Sequence, residues 1–218
     1  MKSHFFKKNN RFKMENSKEI IDNETTNQET SFSGDLSRDE GIIKKLYLFP
    51  QNIDFQVRKI NIPMMGKEGV IFYIPSLTDV KMVDEHILKP LLTNGDRTAK
   101  DVSQIISASA INEERSLSKA IKELNTGNTL LIIDHEPYCH VINTSTAAGR
   151  SVEKPQNETT LFGPKEAFVE RADINISLIH KKIRSEDFTV EKMVIGERSN
   201  NEVFIIYNKN LAGDRVLN

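Results

Sequence analysis

Apolar residues recur along this chain in two periods, and the switch between them marks out its elements. Over 36–49, Ile42, Ile43, Leu46 and Phe49 share one side of a helix that Pro50 stops. From 54 to 62 the pattern becomes an alternation, with Phe55 and Val57 on one phase and Ile60 and Ile62 on the other. That predicts a strand whose facing is not clean. After a turn over 63–69, Val70, Ile71, Phe72, Tyr73 and Ile74 run without a polar break, as in a central strand covered on both faces. Val83, Ile87 and Leu91 predict a helix over 80–92, and further helices are expected over 101–109 and 113–125. A turn at 125–128 leads to a second buried strand over 129–133, and 139–143 returns beside it through a hairpin turn at 135–138. Strands and helices mixed in this order indicate an α/β sandwich.

The stretch 161–207 organises the rest. It reads as an amphipathic helix followed by two strands. Gly163 and Pro164 open the helix, where a missing proline N–H has no partner to lose. Glu166 and Glu170 sit near its positive end; Lys181, Lys182 and Arg184 sit near its negative end. Phe168, Ala172, Ile176, Ile179 and Ile183 form the stripe of a helix that buries one face, so Phe168, Ile176 and Ile183 are expected in a core. The strands repeat an earlier pair. Asp54, Phe55, Val57, Lys59 and Ile62 coincide with Asp187, Phe188, Val190, Lys192 and Ile195, and without a gap Val70 coincides with Val203. The repeat predicts two related α/β subdomains with mixed sheets and flanking helices. The expected division is a disordered basic then polar tail at 1–35, a first subdomain at 36–148, a connector at 149–164, and an incomplete second subdomain at 165–218.

Composition narrows the function classes. The 218 residues are 38% hydrophobic and 28% charged, with a formal net charge of -1, which gives no overall drive toward nucleic acid. The single cysteine, Cys139, rules out an internal disulfide. No apolar run approaches the ~20 residues that span a bilayer. Lys2, Lys7, Lys8, Arg11 and Lys13 with Phe5, Phe6 and Phe12 make a basic, aromatic tail, read as solvated rather than as a lipid anchor. His135, Glu136, Cys139 and His140 are the one dense set of potential metal ligands. Pro137 breaks helical presentation, and Cys139 and His140 point to opposite faces of a strand, so a hairpin turn is expected and no metal or other cofactor. Gly196-Glu197-Arg198-Ser199 lacks the glycines and following helix of a phosphate loop and predicts a hairpin turn. Asp54 and Asp187 read as local turn caps. With no nucleophile or acid–base set in evidence, an enzyme is not expected.

Within that frame the chain resembles the GerA family, the A subunit of bacterial spore germinant receptors. Gly163, Pro164, Glu166, Phe168, Glu170, Asn175, Ile176, Leu178, Ile179, Ile183 and Ser185 match its helix motif. Gly196, Arg198 and Ser199 match its Gly-x-Arg-Ser turn, and Arg150, Pro155 and Glu158 its connector. Tyr73, Ile74, Leu77 and Asp79 resemble its first strand end. Departures are Phe162 for the usual Arg, Ala167 and Ser76 for Gly, and Asp173 for an Arg of the helix. The resemblance implies a soluble N-terminal domain facing the cytoplasm or spore core at the spore inner membrane. It implies roles in nutrient sensing, receptor assembly and signal transmission. Its partners would be B and C subunits, other A subunits and a nutrient germinant. Arg150, Glu158, Gly163, Pro164, Glu166, Glu170, Asn175 and Arg198 are the candidate interaction or signalling residues. A small-molecule binding module, with its ligand between two α/β subdomains, is the alternative. Because the family continues into a full second subdomain and membrane helices, the chain is expected to be a fragment or a truncated product.

Overall fold

The structure is a computed structural model that describes residues 31–93, 95, 99–106, 110–146 and 167–213. Helix α1 (Leu36–Leu46) starts where the Asp35 carboxylate accepts from the N–H groups of Ser37 and Arg38. Strands β1 (Gln56–Ile62) and β2 (Lys67–Tyr73) form a hairpin. Helix α2 follows, α-helical over Val80–Met82, widened to π spacing over Val83–Leu88 and α-helical again over Lys89–Leu92. Then come β3 (Ile111–Glu114), α3 (Leu117–Leu124), β4 (Thr129–Ile133) and β5 (Cys139–Ile142). Helix α4 (Ala172–Lys182) and the hairpin β6 (Phe188–Ile195) and β7 (Asn201–Asn208) complete the described elements.

One five-stranded sheet runs in the order β1-β2-β4-β5-β3, and β6-β7 form a second, two-stranded sheet. The α/β class is as the sequence predicts. Within it every pairing is antiparallel, where mixed sheets were expected. Helices α1 and α3 cover one face of the larger sheet, packing Ile43, Tyr47 and Leu124 against Phe72, Leu130 and Ile132. Helix α2 and a 3-10 turn at Val102–Gln104 cover the other, packing Ile87, Leu91 and Val102 against Ile71, Leu131 and Ile133. This explains the unclean facing of β1: Phe55 and Val57 serve the first core, Ile60 and Ile62 the second. Among the described residues no helix is long and apolar enough to cross a membrane.

Several expected elements change. In the described part of the helix expected over 101–109, residues 101–106, there is only a 3-10 turn at Val102–Gln104. The helix over 113–125 begins only at Leu117, because Glu113 and Glu114 pair with His140 and Cys139 as part of an edge strand. Ordered chain also starts before 36: Phe32 is buried in the first core, and Asp39 fastens it by accepting from Ser33 N, Ser33 Oγ and Gly34 N. The basic tail at 1–13 lies outside the described residues.

Helix α4 is shorter than its pattern suggests. Residues 167–171 are not helical, and Gly163, Pro164 and Glu166 lie outside the described residues. Asn175 explains the late start: its side chain accepts from Val169 N at 2.9 Å and donates to Val169 O at 2.7 Å, holding the preceding backbone off the helix. Ile176 is buried as expected, but Phe168 and Ile183 are 69% and 44% exposed. They fall before and after the helix, so its periodicity does not apply to them.

The internal repeat is larger than two strands. Tyr47, at the end of α1, stacks on Phe55 at 4.4 Å; His180, near the end of α4, stacks on Phe188 at 4.0 Å. Ile43 and Ile176 are the matching buried helix residues. The unit is therefore helix–strand–strand. The gapless match needs one correction. The turn at 196–200 is one residue longer than that at 63–66, so Val70 corresponds to Phe204 and Phe72 to Ile206. A slip of one residue would turn these side chains to the wrong face; with it, both pairs face their own helix.

Gly127, with φ of +97°, ties α3 to β4. Its carbonyl accepts from Thr78 Oγ1 and Thr144 Oγ1, and an added Cβ would lie 2.4 Å from the Leu77 oxygen. Gly127→Ala is expected to lower stability by at least about 1–3 kcal/mol, read as a lower urea midpoint at unchanged m-value. An unchanged midpoint would show that the turn relaxes.

Candidate functional site

The two helix–strand–strand units meet along a seam of buried polar side chains, and the seam starts at the residues just before β1. Asn52 is 3% exposed. Its Nδ2 donates to Phe188 O at 3.0 Å, its Oδ1 accepts from Val190 N at 3.1 Å, and Ile53 N donates to Val190 O at 2.9 Å. The side-chain amide stands in for a peptide and extends a ladder onto the edge of β6. Two residues on, Asp54 accepts from Ser76 N at 3.0 Å, from Ser76 Oγ, and from His180 Nδ1 at 2.9 Å. A carboxylate only accepts, so this network assigns the proton to Nδ1 of His180. Nε2 is then a bare acceptor, which suits its burial without a protein partner among the described residues better than a stranded N–H would.

The seam is also joined from the other side. Tyr47 Oη donates to Asn125 Oδ1 at 2.7 Å, and Asn125 Nδ2 donates to Glu186 Oε2 at 3.1 Å. Burial, and then the Glu186 charge, push the Tyr47 hydroxyl well above the usual phenol range, so it serves as a donor. Lys209 Nζ donates to Leu46 O and pairs with Asp187 at 3.4 Å. Asp187 is thus held by its own unit, as Asp54 is by Ser76: Asn210 Nδ2 donates to Asp187 at 2.6 Å. The expected turn-cap role of Asp54 is corrected: it bridges the two units.

Beside the seam lies a cleft of about 560 Å³. Asp54 and Ser76 line one wall; Ile174, Ser177 and Lys181 of α4 and Phe204 of β7 line the other. The volume falls in the range of small-molecule sites. A second hollow of about 380 Å³ beside β3 is acidic, but Glu114 and Glu123 there already accept from Ser116 N and Asn128 Nδ2.

Of the candidate residues read from the sequence, Arg150, Glu158, Gly163, Pro164 and Glu166 lie outside the described residues. Glu170 is exposed ahead of α4, and Asn175 clamps Val169. Arg198 is exposed in the turn between β6 and β7, which is a hairpin turn as expected. Among the described residues no hydrogen bond or ion pair joins these three. The sequence reading missed Asn52, Ser76 and His180. The signal for His180 was the repeat itself, since His180 precedes Phe188 by the same spacing as Tyr47 precedes Phe55.

The segment holding His135 to His140 is a hairpin turn and strand start. Glu136 accepts from Lys67 Nζ at 2.8 Å and faces His140 Nε2 at 3.0 Å. Burial alone would raise its carboxyl; the bonds from His140 and Lys67 override this and bring it down to about 2. Burial pushes the Cys139 thiol up to about 12, which makes it a poor nucleophile. Among the described residues no group of three or more His, Cys, Asp or Glu is placed to hold a metal.

Fold and seam define a two-part α/β module whose halves are joined by polar side chains. The chain belongs to the GerA family: the family described as Bacillus/Clostridium GerA spore germination protein matches residues 43–218. It is 26% identical over 152 residues to spore germination protein KA of Bacillus subtilis (strain 168), covering 67% of this chain and 28% of that protein. It is 29% identical over 144 residues to spore germination protein GerIA of Bacillus cereus, covering 66% and 22%. The chain thus spans about a quarter of the length of these curated relatives. The crystal structure of the N-terminal domain of the A subunit of the Bacillus megaterium spore germinant receptor GerK3 shares the fold. Its TM-score is 0.62 at 18% identity, covering 86% of this chain and 70% of that one.

Two outcomes test the packing. Asn52→Ala strands the Phe188 carbonyl and the Val190 amide, so it is expected to cost about 2–3 kcal/mol in urea denaturation; a loss under ~0.5 kcal/mol would show that the seam rehydrates freely. The depressed Glu136 carboxyl contributes stability that is full above about 4.5 and is lost as pH falls toward about 2. Stability should drop over that window by on the order of 3 kcal/mol or less, and Glu136→Gln should flatten the drop.

Proposed function

We propose that this chain acts as the N-terminal domain of the A subunit of a spore germinant receptor, in nutrient sensing, receptor assembly and signal transmission. It works there without catalysis. Its partners are B and C subunits and other A subunits, with the domain on the cytoplasmic or spore-core side of the inner membrane. The observation that carries this reading is the family match over residues 43–218. The relatives are spore germination proteins, and the structure with the shared fold is a receptor A-subunit domain. Assembly has support in the outer half of the β6–β7 hairpin, where Met193, Val194 and Ile195 are 43%, 58% and 52% exposed. Apolar residues grouped in this way suit a protein contact. Transmission has support in the seam, whose paired side chains fix one arrangement of the two units.

The cleft supports a second reading, in which it holds a small nutrient molecule between the units. Its volume and its mix of apolar and polar walls favour this.

The test is germination of spores whose receptor A subunit carries this domain. Asn175→Ala and Asp54→Ala are expected to slow nutrient-triggered germination several-fold at equal subunit level, with Lys119→Ala, on the exposed side of α3, without effect. Equal rates for all variants would overturn the signalling role. The cleft reading is tested separately by calorimetric titration of the chain with amino acids and sugars; saturable heat lost on Ser177→Trp supports it, and no heat with any of them counts against it.

A further inference from the structure

Acidic side chains gather on one edge of the larger sheet, far along the sheet from the seam, and the described chain begins at the same corner. Strand β3 is an edge strand. Among the described residues it pairs with β5 alone, so the N–H and C=O groups of its other side face outward. Asn112 and Glu113 are exposed along it. The hollow beside it, of about 380 Å³, is lined by Glu113 and Glu114 of β3, by Glu123 of α3 and by Asn128, and none of its described lining residues is basic. Ser116 N and Asn128 Nδ2 each occupy one oxygen, of Glu114 and of Glu123. The Glu113 carboxylate has no hydrogen bond or ion pair among the described residues, and Asn128 Oδ1 is buried there without a donor. Acceptors outnumber donors in this hollow, so it suits a cationic occupant.

The chain itself supplies cations nearby. Ser31, the first described residue, bridges Ser116 at the start of α3, and Phe32 N donates to Arg115 O at 3.2 Å. Phe32 is buried in the first core and Asp39 holds Ser33 and Gly34, so this point of entry is fixed. Helix α3 leads from there to Glu123 over only ~10 Å. Residues 1–13, outside the described residues, carry Lys2, Lys7, Lys8, Arg11 and Lys13 and no acid, and 14–30 join them to Ser31. A polar linker of that length has an r.m.s. span of roughly 20–25 Å, enough to bring the basic segment back to β3 at a local concentration on the order of millimolar.

We propose that the basic segment 1–13 is the occupant. It lies along the open edge of β3, its lysines and arginine received by Glu113, Glu114 and Glu123 and its backbone by the unpaired groups of the strand. The contact shields a sheet edge from within the chain. Its charges lie near the surface, so it weakens as salt rises.

The test uses the full chain with a nitroxide on Ser3→Cys; Cys139 is buried and stays unlabelled. At ~20 mM salt the label is expected to weaken the amide signals of Asn112, Glu113, Glu114 and Asn128 at least ~2-fold against the reduced label, and at ~0.5 M salt to leave them near full height. Replacing Lys7, Lys8, Arg11 and Lys13 by Gln should abolish the effect. Glu113→Lys, at an exposed carboxylate with no partner to lose, should reduce it at an unchanged melting temperature. Signals at β3 that the label leaves untouched, or weakens equally in the charge variants, overturn the proposal. An effect carried between two chains, with the nitroxide on one and the isotope on the other, overturns it too, because it places the segment on a second copy.

Discussion

The bonds that Asn52 and Asp54 make to the second unit are what the rest of this arrangement depends on. A two-stranded hairpin is marginal by itself in water. Among the described residues, the core beneath β6 and β7 has three buried members, Ile176, Phe188 and Val190. Such a core cannot offset the entropy of ordering a helix and two strands unaided. Docking changes the balance. Asn52 and Ile53 satisfy backbone groups on the edge of β6, and Asp54 fixes the His180 ring that stacks on Phe188. The second unit is thus ordered partly by side chains of the first.

The repeat shows how one plan was fitted to two surroundings. In both units an aromatic ring near the end of the helix stacks on the first phenylalanine of the hairpin. What differs is the polar edge of that ring. Tyr47 sends a hydroxyl to Asn125 and so toward Glu186, while His180 sends Nδ1 to Asp54. His180 therefore points its donor directly at the other unit, while Tyr47 reaches it through the Asn125 amide. The stacking keeps the local core, and the heteroatom makes the seam.

Much of this was legible in the sequence. The apolar run at β2 and the turn before β4 were readable because continuous burial and a tight turn leave local marks, and the α/β class followed from the order of the elements. The edge strand β3 was not, because Glu113 and Glu114 look helical until His140 and Cys139 are known to lie beside them. The start of α4 was misplaced because Asn175 competes for the backbone at Val169, an effect that periodicity does not carry. The seam was the least legible part. Asn52, Asp54, Ser76 and His180 are scattered along the chain, and each is an ordinary polar residue until folding buries it. The repeat held the missing clue, for it aligns His180 with a core tyrosine, and a histidine in a core slot needs a partner.

A polar seam has consequences that an apolar one lacks. Each neutral hydrogen bond nets only about 0.5–1.5 kcal/mol, because water would take its place if the halves parted. A mismatched arrangement, by contrast, leaves buried groups such as the Asn52 amide or the Asp54 carboxylate unpaired, at a penalty of about 1–3 kcal/mol or more for each. The seam therefore specifies one orientation of the two units strongly while holding it with modest free energy. A cleft that opens on such a seam shares residues with it: Asp54 and Ser76 belong to both. A ligand in the cleft would lie against side chains that set how the units meet, and it would shift their orientation only if it bound one orientation more tightly than another.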